Sequence, residues 1–234
     1  MRFPTLTFLL TLCCGLTNGC SEGVTRRTAA TVLSVKGDVV FGMAERNNFQ
    51  PVTRESRIPD GSIVRTSDGA LLDLGLIAGA LAQLSSNSEI KIEELKISKD
   101  GNQTRGGMRS RSARIQLSRG TITVLFRGSD KSASQFAITT PAVTVTPDSD
   151  SLFRTQRNDT TIQVTCVQGK VYAATGSQPA IAIGAGYFQQ WPPTRPQPMA
   201  ASGDAAAQID ITDSLEIQNH LLESGAAWQN RGPF

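Results

Sequence analysis

Leu117-Ser118-Arg119-Gly120-Thr121-Ile122-Thr123-Val124 is an apolar-alternating run interrupted by one glycine. The same phrase recurs as Val35-Lys36-Gly37-Asp38-Val39-Val40 and as Val167-Gln168-Gly169-Lys170-Val171-Tyr172. Apolar residues at every second position point to one face of a strand, and the glycine allows a bend or bulge without a Cβ penalty. Recurrence over most of the chain predicts one β-rich architecture in which much of the sequence is scaffold.

Outward from these phrases, residues 31–41 read as a first hairpin. Pro59-Asp60-Gly61 and Ser67-Asp68-Gly69, each flanked by apolar residues, are hairpin or tight-turn signals. Residues 76–84 have a helix-like composition, yet Ile90-Lys91-Ile92 resumes strand period, which predicts a strand turning near Gly79. Residues 89–98 read as a half-exposed strand and 99–111 as a loop. Residues 113–126, 135–146, 152–157, 160–167 and 170–174 alternate again, and 181–190 closes the β region with Gly184 and Gly186 framing a turn. Residues 192–198 form a proline-rich connector. The tail predicts a helix of about 11 residues, capped by Asp213 with Glu216 three residues on, striped by Ile217, Leu221 and Leu222, and stopped at Gly225.

Composition narrows the class. The 234 residues can bury a substantial core, 39% are hydrophobic and 18% charged, and 21 Gly with 11 Pro favour turns and short strands. A formal charge of +3 does not by itself imply nucleic acid.

The N-terminus reads as a targeting segment. Arg2 is followed by the apolar run 3–16, which as helix would span only ~21 Å against a hydrocarbon core of ~30 Å, so a retained span is not expected. Leu16-Thr17-Asn18-Gly19-Cys20 is similar to a bacterial lipobox, with Cys20 as the lipid-anchor residue and Thr17 departing from the pattern. Ordinary signal cleavage is the competing reading, and both export the chain. The expected organisation is a signal peptide at 1–20, a tether at 21–31, a β domain at 32–191, and a connector with a short helix at 192–234. With Cys13 and Cys14 removed and Cys20 acylated, Cys166 remains, and its strand setting predicts a buried thiol.

Taken in order, further segments carry a family likeness. They are Ile58-Pro59-Asp60-Gly61-Ser62-Ile63-Val64-Arg65-Thr66, then Asp68-Gly69-Ala70-Leu71-Leu72-Asp73-Leu74, then Leu84-Ser85-Ser86-Asn87-Ser88-Glu89-Ile90. Phe136-Ala137-Ile138-Thr139-Thr140-Pro141-Ala142-Val143 and Ile183-Gly184-Ala185-Gly186 follow. With the three opening phrases, they make residues 32–191 resemble the FecR-like domain of bacterial envelope proteins. One segment departs: where the family carries Arg-Gly-Thr, this chain has Pro147-Asp148-Ser149-Asp150, with Phe153 keeping the aromatic position. The resemblance implies an all-β fold, a twisted stack of short antiparallel strands like a small solenoid or flattened sandwich, with one short C-terminal helix. Well-known members relay a signal from an outer-membrane transporter to a sigma factor through a cytoplasmic segment and a membrane helix. This chain reads as passing from export signal to β domain, so that relay is not expected of it alone.

Chemistry is sparse. His220 is the single histidine, which argues against a His-based metal site and places it on or beside the tail helix. Asp148 and Asp150 lack the glycine and distal glutamate of a calcium loop and read as a solvated turn. No carboxylate pair suited to glycoside hydrolysis and no phosphate loop stands out. Arg105, Arg109, Arg111, Arg114 and Arg119 form the notable charge cluster, a candidate site for anionic envelope polymers, weighed against a solvated loop that protects an edge strand. The expectation is a non-enzymatic, lipid-anchored envelope module that binds protein or polymer, with no catalytic residue, cofactor or metal. It would sit in the periplasm or at the cell surface on a Gram-negative outer membrane. The rival readings are a cell-wall glycan enzyme and an accessory sensor in envelope signalling. The sequence sets no oligomeric state.

Overall fold

Gly37, Gly120 and Gly169 carry φ of 74°, 82° and 74°, and each turns a strand out of one sheet and into a second rather than closing a hairpin. The computed structural model describes residues 24–43, 45–46, 48–99, 108–128, 133–176 and 178–229. In chain order these hold β1 (Val24–Arg27), β2 (Ala29–Lys36), β3 (Val39–Met43), β4 (Gln50–Pro51), β5 (Arg57–Pro59), β6 (Ser62–Thr66), β7 (Leu71–Ile77), β8 (Ala80–Leu84) and β9 (Glu89–Lys99). The long β10 (Met108–Phe126) is followed by β11 (Ala133–Thr139), β12 (Thr144–Pro147), β13 (Ser151–Arg157), β14 (Ile162–Gln168), β15 (Lys170–Ala174), β16 (Ile181–Gly184), β17 (Tyr187–Trp191) and β18 (Met199–Ala200). A 3-10 turn at Ala201–Gly203 then leads into helix α1 (Ala205–Gln229).

One sheet runs β4-β3-β6-β9-β10-β11-β12-β15-β16, with β1 beside the far half of β9. The other runs β5-β2-β7-β8-β10-β13-β14-β17-β18. Strand β10 belongs to both, pairing in the first sheet up to Arg119 and in the second from Gly120. Among the described residues the pairings close no ring, so the fold is an open two-sheet stack. It is all-β with a C-terminal helix, as the sequence leads one to expect. The expected antiparallel order holds except at β10–β11, which is parallel from Ser110↔Ala133 to Gln116↔Thr139. There the chain leaves β10 in the second sheet and re-enters the first alongside its start.

Period-2 alternation explains why a corner replaces the expected hairpin at 31–41. Residues before and after Gly37 both present apolar side chains to one core: Val32 on β2, Val39 and Phe41 on β3. Folding the two halves against each other would place them in one sheet, whereas bending at a positive-φ residue lets each half join a different sheet. Neighbouring corners stack and bond: Ser67 N–H donates to Asp38 O at 3.0 Å, Asn87 N–H to Ser67 O at 3.2 Å, Ser85 N–H to Thr121 O at 3.1 Å, and Ala185 N–H to Gly169 O at 3.1 Å. Thr66 pins this column, its hydroxyl donating to Ser85 O at 2.6 Å and accepting from Ser88 N–H at 2.9 Å. A Cβ on Gly120 would run into Ser88, and one on Gly169 into the backbone of Asp150.

The core fills the space between the sheets. Phe136 lies 5.9 Å from Phe126 and 6.3 Å from Phe153 between ring centroids, and Phe153 is fully buried, so it keeps its aromatic anchor beside the remade 147–150 segment. The turn at Gly79, the strand at 89–98 and the buried, unpaired Cys166 match expectation.

Three further expectations change. The segment read as a tether contains β1 and the start of β2. The 99–111 loop is shorter, because β10 begins at Met108. The tail helix is 25 residues rather than short. Asp204 caps it, accepting Ala207 N–H at 2.9 Å, because Ala205-Ala206-Ala207 are strong helix formers that carry no apolar stripe to betray them. Gly225 lies inside the helix, where a Cβ would meet Leu81 Cδ1 at 2.8 Å, so its role is close approach rather than termination. Helix α1 packs on the outer face of the second sheet and is not apolar enough to cross a membrane.

Candidate functional site

A strand's outward positions normally meet water, and along the second sheet they are polar in one lateral row. The register aligns Ser34 with Asp73, Asp73 with Gln83, Gln83 with Thr123, Thr123 with Arg154, and Arg154 with Thr165. Helix α1 lies over this row and removes it from solvent. Asp73, Gln83, Thr123 and Thr165 are all buried. Burying such groups costs free energy unless each is bonded, so the row and the helix have to complement one another.

Two clusters at its ends provide that complement, while the buried Thr123 hydroxyl between them has no hydrogen-bond partner. At one end, the Asp73 carboxylate accepts from Ser34 Oγ at 2.6 Å and Gln83 Nε2 at 2.7 Å, and His220 Nε2 lies 2.8 Å from its Oδ2. Ser34 and His220 share that one oxygen, so the serine hydroxyl points to the acid and not to the imidazole, which is the wrong order for an activated nucleophile. At the other end, Arg154 lies 3.2 Å from Asp210 and 3.4 Å from Asp213, both on α1. Gln163 Nε2 donates to Asp210 at 2.8 Å and is itself held by Gln190 at 2.7 Å to its Oε1. Arg154 neutralises the two carboxylates that the fold brings together here. Beside the polar row, Leu125, Leu152 and Val167 of the sheet pack with Ile217 and Leu221 of α1, so one helix face carries both kinds of contact.

The arginine candidates are not gathered into one site. Arg105 and the proposed anchor Cys20 lie outside the described residues. Arg109 lies in β10. Arg111 faces inward, buried, with Nε donating to Ser134 Oγ at 2.6 Å, and burial pushes its guanidinium below the ordinary arginine range. Arg114 and Arg119 are exposed, Arg119 at the Gly120 corner past a break in register. Asp150 accepts the Gly128 N–H at 2.9 Å and Asp148 donates its own N–H to Lys170 O at 3.0 Å, which makes the 147–150 segment a bonded corner. Burial pushes the Cys166 thiol up to about 11, opposed by a weaker bond with the Val171 backbone, so it is a poor nucleophile at neutral pH. Among the described residues no cluster of three metal-ligating side chains forms.

Reading strand by strand missed Asp73, Gln83, Arg154, Thr165 and His220 as a unit, since each sits where an exposed polar residue is expected. The available signal was the helical recurrence of Asp210, Ser214, Ile217 and Leu221.

Against known proteins, residues 62–172 match the family model described as "FecR protein". No curated protein matches the chain significantly. Two crystal structures of a protein assigned as an anti-sigma factor from Parabacteroides distasonis, at 1.65 and 2.50 Å resolution, are similar to it at 12% identity and a TM-score of 0.40. The overlap covers 55% of this chain and 53% of that one, so the chain spans about half the length of the structures it matches. At that distance the overlap says nothing about function.

Proposed function

The chain carries a FecR-like domain, and from that premise we propose that it is a non-enzymatic bacterial cell-envelope protein, exported and lipid-anchored through Cys20, whose β stack is a protein- or polymer-binding scaffold. The observation that carries this reading is the family match over residues 62–172, which takes in the corner-bent strands from β6 to β15. The chemistry agrees with it. Both oxygens of Asp73 are bonded, and Asp210 and Asp213 face Arg154, so these groups hold α1 on the sheet. The lipobox-like Leu16-Thr17-Asn18-Gly19-Cys20 and the apolar run before it support export and anchoring.

Three experiments test it. In intact cells, crosslinking followed by mass spectrometry recovers envelope proteins with this chain; recovery of cytoplasmic proteins alone overturns the location. Growth with a labelled lipid precursor marks the parent and not Cys20→Ala, and an unlabelled parent overturns the anchor. Release of soluble glycan fragments from purified cell wall by the protein would replace the scaffold reading with an enzyme.

A further inference from the structure

The basic residues are unevenly placed, and the topology gathers them at one end. Strand β1, the far half of β9 and the start of β10 lie side by side: Val24↔Lys99, Arg26↔Ile97 and Arg27↔Lys96 on one flank, Met108↔Lys99, Arg111↔Ile97 and Ser112↔Lys96 on the other. Residues 24–27, 96–99 and 108–114 contain Arg26, Arg27, Lys96, Lys99, Arg109, Arg111 and Arg114, and no Asp or Glu. That is +7 from three short segments of a chain whose total is +3, which leaves the remainder at −4.

Their local carboxylates are few. Arg27 lies 3.5 Å from Asp60 but its side chain is 79% exposed, an arrangement worth little in water. Lys96 meets Glu94 at 2.6 Å, and that contact, with the Ser112 hydroxyl, holds the Glu94 carboxyl below its ordinary range. Arg26, Lys99 and Arg114 are exposed, Arg114 standing opposite Glu94 across the ladder. Arg27 and Lys96 stand directly opposite each other across the ladder, a like-charge pairing that disfavours the ribbon by itself. Asp60 beside Arg27 and Glu94 beside Lys96 meet part of that repulsion, and an external anion adds to them.

The same end is where the chain enters. Val24 is four residues from Cys20, a separation that spans at most ~14 Å. We propose that the β1–β9–β10 end, through Arg26, Arg27, Lys99 and Arg114, lies against the anionic headgroups of the lipid leaflet that holds the Cys20 anchor. This rests on the anchored reading above. One acyl-anchored residue followed closely by a basic surface is a two-signal membrane attachment, in which charge attraction adds to lipid insertion. It also orients the domain: this end of the ribbon, with Arg26 and Lys99 on one face and Arg27 and Arg114 on the other, meets the bilayer, and the opposite end of the sheets points away.

The test does not need the lipid. Residues 21–234, which contain every described element and lack Cys20, are sedimented with neutral phosphatidylcholine vesicles and with vesicles containing phosphatidylglycerol. The expected result is binding to the anionic vesicles only, weakened at least tenfold by raising salt and by the triple variant Arg26→Glu, Arg27→Glu, Lys99→Glu. Equal partition to both vesicles, or an unchanged triple variant with the parent's circular dichroism, overturns the proposal. Should that variant not fold, Arg26→Gln with Lys99→Gln serves, with a smaller loss expected and no loss overturning it. Binding to soluble heparin without vesicle binding assigns the end to an anionic polymer and overturns the lipid assignment. Vesicle binding without labelling of Cys20 in cells rejects the anchor alone, so the two failures are distinguishable.

Discussion

His220 Nε2 lies 2.8 Å from Asp73 Oδ2, joining the C-terminal helix to a strand 147 positions earlier. Asp73 is 1% exposed as a side chain while His220 is 52% exposed, so the two ends of this contact differ in what their loss costs. Asp73→Ala strands Ser34 and Gln83 beneath the helix and is expected to destabilise by ~2–4 kcal/mol. His220→Ala, at a half-solvated position, is expected to cost ~1 kcal/mol or less. Urea unfolding of both variants checks the ranking, and equal losses would contradict it.

Arg154 balances two acids of α1, so its removal leaves the buried Asp210 without a charge partner. Arg154→Ala is expected to cost ~3 kcal/mol or more and to loosen the helix, whereas Asp213→Ala, at a 47% exposed side chain, costs under ~1 kcal/mol. Hydrogen exchange along 205–229 reads this directly: faster exchange is expected in the first variant and near-parent protection in the second.

The corner glycines separate backbone strain from collision. Gly69 has φ of 66° and open space where a Cβ would stand, so Gly69→Ala is expected to cost ~1 kcal/mol. Gly120→Ala and Gly169→Ala add a clash with the neighbouring corner and are expected to cost at least ~2 kcal/mol more. Thermal melts of the three variants decide whether stacking of corners contributes beyond the φ requirement.

Cys166 links stability to alkaline pH. Its folded value is raised from 9.0 to about 11 by burial, so the folded state holds the proton more tightly than the unfolded chain. The contribution is fully present below pH 9 and is lost as pH rises through about 11. Cys166→Ala is expected to flatten that part of the stability profile. Alkylation of the folded residues 21–234 at pH 8 is expected to be slow, and rapid labelling would show an accessible thiolate.

Sequence reasoning went furthest where one local rule decides the outcome. Alternation marked the strands on both sides of Gly120 and Gly169, and the apolar run of residues 76–84 resolved into two strands around Gly79. It stopped where two physically equivalent local solutions exist. A glycine between alternating runs suits a hairpin or a corner, and the choice at Gly37 rests on which strands are free to pair on either side. The polar row was hidden for the same reason: Asp73, Gln83 and Arg154 satisfy the outward pattern whether water or α1 covers them.

The sequence by itself determined the β class, the domain likeness, the buried Cys166 and the surplus of Lys and Arg, because composition, period and motif order are properties of the chain alone. Only the tertiary structure decided that the three strand-glycine-strand phrases are corners between two sheets, that α1 begins at Ala205, that His220 meets Asp73, and that Arg27 stands opposite Lys96. These are relations between segments far apart in the chain. They depend on which sheet each strand joins, and hence on packing rather than on local preference.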